Sequence, residues 1–303
     1  MGTPDFAVPS LRILVENNYP IKAVVTAPDK PRGRGQQLSP TPIKELSTLH
    51  SLPVFQPVDL NDPGFVENLA SCKADIFVVV AFRILPKEVF SLSRLGTFNL
   101  HASLLPRYRG AAPINRAIMG GETETGVTTF FLQEKVDTGN ILLQARLPIA
   151  PEDDAGALHD KLADIGAEIV LHTVRLIEQG KAVPRKQDDA LASPAPKIFR
   201  NDCVIAWNRP AAVIHNQIRG LSPYPAAFTT HQGKVIKIFR SEVRHEPSLS
   251  GPGSVDSSPH HLFVAAADTM LEIRELQQEG KRRMTAEEFL RGYVIARGDR
   301  FGD

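Results

Sequence analysis

Apolar and polar positions alternate most cleanly in the middle of the first half of the chain, where Phe98, Leu100 and Ala102 interleave with Asn99, His101 and Ser103. A period of two predicts a strand whose polar residues share a face, so Asn99 and His101 point the same way. Pro106 ends the pattern because it has no N–H for a ladder. Arg107, Arg109 and Gly110 then make a basic turn, and a helix is predicted from Ile114 to Met119. Upstream, residues 74–81 form a run that is apolar but for Asp75, the mark of a central strand covered on both faces. Short β-rich runs at 21–26 and 53–57 alternate with helical stretches beginning near Pro42, Phe65 and Lys87.

This alternation predicts an α/β domain, a doubly wound and mostly parallel Rossmann-like sheet whose ligands sit beyond the carboxyl ends of its strands. Ala81 and Ser103 should therefore border one crevice. Residues 2–7 read as the loop that follows a strand, with Thr3 or Asp5 capping a helix, yet only Met1 stands ahead of Gly2. Strands follow at 126–132 and 141–146, then a helix at about 154–179 with Leu158, Leu162, Ile165, Ile169, Val170, Val174 and Ile177 on its apolar face and Gly180 as its stop.

Past residue 181 the pattern changes. Pro184, Pro194 and Pro196 punctuate a stretch without period, read as a linker over 182–201. A short helix within 207–220 precedes brief strands at 227–230, 235–239, 262–266 and 270–273, which predict a small β-barrel of the OB-like kind. Thr285 and Glu288 form a capping box ahead of Phe289, Leu290 and Tyr293. The expected domains are 1–181, catalytic, and 202–303, a second β domain.

At 303 residues the chain is too long for one ordinary core. Its 35 Lys and Arg balance 34 Asp and Glu, so any nucleic-acid contact must rest on local basic patches. Two such patches exist. The loop containing Arg32 and Arg34 is either an exposed surface loop or an RNA-phosphate contact, and Lys281, Arg282 and Arg283 are either a solvated run or part of a polyanion surface, the reading favoured by a barrel appended to an enzyme domain. Cys72 and Cys203 stand far apart without a metal-ligand spacing, no run reaches the roughly 18 apolar residues of a membrane span, and no GxGxxG occurs. A cytoplasmic setting, no metal and no membrane are expected.

Asn99 beside His101 offers an oxyanion donor next to a group that holds or gives up a proton near neutrality, a pairing suited to attack on a carbonyl. A lone buried histidine is more often a core residue. Asn99, His101, Arg107 and Arg109 together are not. Asp137, before Thr138 and Gly139, is a turn residue unless it faces His101.

Several segments carry a family resemblance. Residues 2–7, Arg34-Gly35, 103–114, 124–128 and 137–139, with 219–225 and 280–284 in the second half, resemble the methionyl-tRNA formyltransferases. The 103–114 motif is shared more widely among 10-formyltetrahydrofolate-dependent formyltransferases, so it speaks for the chemistry, and the second domain speaks for the acceptor. The resemblance implies Asn99, His101 and Asp137 as catalytic residues. It implies folate contacts from Ser103, Leu104, Leu105 and Pro106, with the pterin against Ala81, Phe82, Ile84 and Leu85. It further implies tRNA contacts from Arg32, Arg34, Lys281, Arg282 and Arg283, with 10-formyltetrahydrofolate as donor, initiator methionyl-tRNA as acceptor and a monomeric enzyme. Two departures stand out. Relatives place a hydrophobic strand before residue 2, so a truncated start is expected, and many have Tyr-Gly where this chain has Phe82-Arg83. Rival readings are a formyltransferase for an amino sugar nucleotide or glycinamide ribonucleotide, a catalytically silent RNA-binding protein, and, more distantly, a dehydrogenase.

Overall fold

A computed structural model describes residues 1–32, 37–247, 251–296 and 298–302. The chain forms two compact units: residues 1–111, 124–148 and 159–195 make the first, and residues 112–123, 149–158 and 196–303 the second.

In the first unit, strands Val24–Val25 and Val54–Phe55 pair in parallel, as do Phe77–Val80 and Thr97–His101. Glu124–Phe131 pairs antiparallel with Thr97–His101, and Ile141–Pro148 antiparallel with Glu124–Phe131, the last two joined by the 132–140 loop where a parallel pair would need a crossover. Between the two parallel pairs lies the amino terminus. Gly2 bridges Val80 in parallel and donates to the Val25 carbonyl, while the Val80 amide donates to the Met1 carbonyl. Beside residues 1 and 2 lies a cleft of about 430 Å³, lined on one side by residues 19–25 and on the other by residues 74–78, with Leu11, Leu14 and Leu69 among its walls. The run expected to be covered on both faces is therefore only partly so: Phe77, Val79 and Val80 are buried and Val78, beside the cleft, is not.

Residues 182–195, read from sequence as linker, belong to the first unit. Arg185 exchanges both backbone hydrogen bonds with Ile141, and the Arg109 amide donates to the Ser193 carbonyl at 2.8 Å.

The second unit is an antiparallel sheet in which Val255–Ser257, Leu262–Ala265, Thr269–Gln278, Lys234–Pro247 and Ala227–His231 are neighbours in that order, with Met284–Thr285 also paired to Thr269–Gln278. Lys234–Pro247 is far longer than the run expected at 235–239, because bulges near Arg240 and Ser241 let it bend and stay paired through a polar segment. Ile214, Ile218 and Leu221 of helix Ala211–Leu221 pack with Ile236, Ile238, Leu271 and Trp207 in its core. Thr285 and Glu288 form the capping box of helix Ala286–Leu290. Helix Pro113–Met119, which precedes the last strands of the first unit in sequence, packs into the second: the Asn115 side chain donates to the Gly220 carbonyl and Arg116 pairs with Asp202. An inserted helix of this kind falls inside the expected 1–181 boundary and is invisible to a reading that takes the chain linearly.

Candidate active site

Strand alternation puts Thr97, Asn99 and His101 on one face of Thr97–His101, the last strand before the 102–112 loop. Asn99 is half-buried and, among the described residues, its side-chain amide has no hydrogen-bond partner, which leaves its N–H groups available at that face. His101 is 6% exposed. Its Nε2 lies 2.8 Å from the Tyr108 carbonyl, and a carbonyl can only accept, so Nε2 carries a proton. Nδ1 lies 3.7 Å from Asp137 Oδ2. A proton arriving at Nδ1 would therefore sit against a carboxylate. Asp137 Oδ2 is itself held by the Gly110 amide at 2.8 Å. The hydrogen-bond partner that fixes the imidazole is the backbone of Tyr108, a residue at φ +60 that sequence reasoning had no means of assigning to this role.

Asp137 sits at φ +55 in the 132–140 loop, next to Thr138, whose hydroxyl donates to the Lys135 carbonyl. Gly139 fixes how close this loop can come, because a Cβ there would lie 1.6 Å from the Phe131 carbonyl oxygen. The loop consequently brings Asp137 to the end of the central strand.

The residues expected to hold folate are distributed unevenly. Ser103 is fully buried and its hydroxyl donates to the Arg107 carbonyl, so it shapes the turn. Leu105 is core, its amide donating to the Thr128 hydroxyl and its carbonyl accepting from Gln144. Leu104 and Pro106 remain part-exposed. On the other loop Ala81 is exposed at φ +47 and Ile84 is 76% exposed, whereas Leu85 is buried and Phe82 packs against the same core cluster. Arg83 donates to the carbonyls of Pro57 and Val58 and stacks over Phe82, so the departure at Phe82-Arg83 fastens a neighbouring loop. Ala81 and Ile84 are exposed, and Leu104 and Pro106 partly so, with Leu104 packed over Gly126. Ser103, Leu105 and Leu85 could contact a ligand only through backbone.

Arg109, read from sequence as part of a basic turn, is already engaged: its guanidinium donates to Gln187 Oε1 and pairs with Asp189, whose carboxyl it holds below the usual range. In the second unit, Arg283 pairs with Glu275 and lies over Phe239, and Arg282 pairs with Glu288. Lys281 is exposed and has no ion pair among the described residues. The side chain of Arg32 and all of Arg34 lie outside the described residues. Among the described residues no group of three or more His, Cys, Asp or Glu could hold a metal ion, and no helix is long and apolar enough to cross a membrane.

A family profile described as Formyl transferase matches residues 1–174, and one described as Formyl transferase, C-terminal domain, matches residues 197–294. The methionyl-tRNA formyltransferase of Parabacteroides distasonis is 49% identical over 305 aligned positions, covering 97% of this chain and 94% of that protein. That of Chlorobium chlorochromatii is 50% identical over 301, covering 97% and 96%. Among solved structures, the N-formyltransferase of Helicobacter canadensis, crystallised with folinic acid and dTDP-3-aminofucose, superposes with a TM-score of 0.69 over 93% of this chain and 97% of that one, at 21% identity. A methionyl-tRNA formyltransferase from Clostridium thermocellum gives 0.55 over 80% and 91%, at 16% identity, a likeness of fold alone.

Proposed function

The chain belongs to the formyl transferase family, on the side of the methionyl-tRNA formyltransferases, and from that membership we propose that it moves a formyl group from 10-formyltetrahydrofolate to the free α-amine of initiator methionyl-tRNA. The observation that supports the chemistry is the convergence of an open amide, an oriented imidazole and a carboxylate at one strand end. Near-half identity across both domains to enzymes named for methionyl-tRNA supports the acceptor.

The donor's place fits the chain. The Asn99 amide is unpartnered among the described residues, and exposed Ala81 and Ile84 on one loop, with part-exposed Leu104 and Pro106 on the other, are the apolar groups we assign to the pterin. When bound, the donor supplies an electrophilic formyl carbon. As the amine nitrogen bonds to that carbon, its oxygen gains negative charge and Asn99 donates a hydrogen bond to it, while His101, whose Nε2–H is held by the Tyr108 carbonyl, presents Nδ1 beside Asp137 to take up a proton. The C–N bond to the folate nitrogen then breaks. The proton lost by the amine goes to that departing nitrogen, with Asp137 helping to move it and stabilising His101 in its protonated form. Neither a covalent enzyme intermediate nor a metal is called for by this scheme. The enzyme acts as a cytoplasmic monomer.

The test is formyl transfer to charged initiator tRNA, with elongator methionyl-tRNA and an amino sugar nucleotide alongside. Transfer to the initiator species alone is expected, and transfer only to the sugar nucleotide would overturn the acceptor. The basic residues are expected to separate from the catalytic ones. Arg34→Ala combined with Lys281→Ala weakens tRNA binding and lowers the slope of log K against log salt by about one to two, at roughly 0.9 per phosphate contact on duplex. Folate binding is unchanged. An unaltered slope in titrations from 50 to 200 mM salt, a range set by the same relation, removes these residues from the interface.

A further inference from the structure

The segment read from sequence as a linker carries a buried glutamine that no step above uses. Gln187 is 5% exposed. Its side-chain Nε2 donates to the Asp137 carbonyl at 2.9 Å and to the Gly139 carbonyl at 2.8 Å, and its Oε1 accepts from Arg109 Nε at 3.1 Å and Nη2 at 2.7 Å. Every strong hydrogen-bonding capacity of the amide group is matched: two donors meet two carbonyls, and the one oxygen meets a guanidinium fork. Those two carbonyls flank Thr138, so the amide grips the left-handed turn at Asp137 from both ends.

The same strand of chain also fastens the other loop of the site. The Tyr108 amide donates to the Ser193 hydroxyl, and the Arg109 and Ser193–Ala195 backbones exchange bonds in a parallel bridge. Arg109 closes the circuit by joining Gln187 to Asp189. Residues 185–195 therefore run as a strap across both the loop whose Tyr108 carbonyl orients His101 and the loop that carries Asp137.

We propose that Gln187 is the positioning residue for Asp137, holding its backbone so that the carboxylate meets the Gly110 amide and faces His101. This rests on the formyl-transfer reading above. The alternative is a glutamine that merely fills the core and satisfies Arg109. Chemistry separates the two. Gln187→Glu keeps the size and the Arg109 partner but replaces the two donors with a carboxylate oxygen where Nε2 lies 2.8 to 2.9 Å from two carbonyls. Gln187→Leu keeps the volume and removes both donors.

The experiment is a double-mutant cycle on the full chain. Gln187→Glu and Gln187→Leu are expected to lower kcat about 10- to 100-fold, the scale for displacing a catalytic group by about 1 Å, with KM for donor and tRNA within about twofold. Placed on an Asp137→Asn background, either change should cost no more than about twofold further, because the group it positions has already been disabled. Full additivity, or a loss carried in KM, overturns the proposal. A chain that formylates nothing would refute the functional reading instead, and positioning would then be read from the Gly110 amide. In Gln187→Glu its protection against hydrogen exchange should fall at least tenfold relative to the parent. Unchanged protection overturns the proposal whatever the activity.

Discussion

Asn99→Ala is expected to lower kcat about 10²- to 10³-fold, the usual cost of removing one donor from a developing oxyanion, with little change in folding, folate affinity or tRNA affinity. The reason lies in what Asn99 does in the resting protein. Its amide has no partner among the described residues, so truncation leaves no buried group unpaired. His101→Ala is expected to lose at least as much activity but to lose stability as well, because it removes the hydrogen bond from Nε2 to the Tyr108 carbonyl at 2.8 Å and empties the space of a ring that is 6% exposed. The lost hydrogen bond alone is worth about 0.5 to 1.5 kcal/mol. The two variants therefore separate in a melting experiment and coincide in a kinetic one. Equal loss of tRNA binding in both would mean that neither acts on the reacting atoms. An Asn99→Ala enzyme within tenfold of the parent would remove the amide from the chemistry.

How much of this was legible beforehand follows from what sequence periodicity records. Thr97–His101 was readable because polar and apolar side chains alternate along it, although every residue but Asn99 is buried, and Asn99 and His101 were readable with it. Helix Ala155–Glu178 was readable because seven apolar residues repeat at helical spacing. Gln187 was not, since a side chain that works by gripping two distant carbonyls leaves no period, and its Pro-containing surroundings look like any linker. The Tyr108 carbonyl was illegible for a simpler reason: backbone groups have no residue-type signature. Arg109 misled, because a basic residue in a turn has the same appearance whether it waits for an anion or, as here, is already paired with Asp189. The second unit's use of Pro113–Met119 depends on packing across a sequence gap of about a hundred residues, to Gly220.

The largest stability change should come from the cleft beside Met1. The Met1 amine donates to the Val78 carbonyl at 2.7 Å, and its burial lowers it from 8.0 to about 5. An amine whose folded value lies below its unfolded value penalises the folded state wherever the unfolded chain holds the extra proton. Between pH 5 and pH 8 the unfolded state binds more protons, so stability rises with pH across that window and is flat beyond it. A shift of this size corresponds to an upper bound on the order of 4 kcal/mol. An apolar segment of about five residues, a usual strand length, joined ahead of Met1 turns that amine into an amide and runs between residues 19–25 and 74–78, in the direction in which Gly2 already pairs with Val80. Burial of its side chains against Leu11, Leu14 and Leu69 opposes a backbone ordering cost of about 1 to 2 kcal/mol per residue. The relieved ammonium tips the balance toward stability. The extended chain is expected to melt several degrees higher at pH 6, at roughly 2 to 4 °C per kcal/mol for a protein of this size or somewhat smaller, and to lose most of the rise in stability between pH 5 and 8. A polar segment of equal length should remove the pH dependence while giving little of the remaining gain, since it relieves the charge without filling the apolar walls. If the apolar extension leaves both the melting temperature and its pH dependence unchanged, neither the ammonium nor the cleft limits the stability of the first unit.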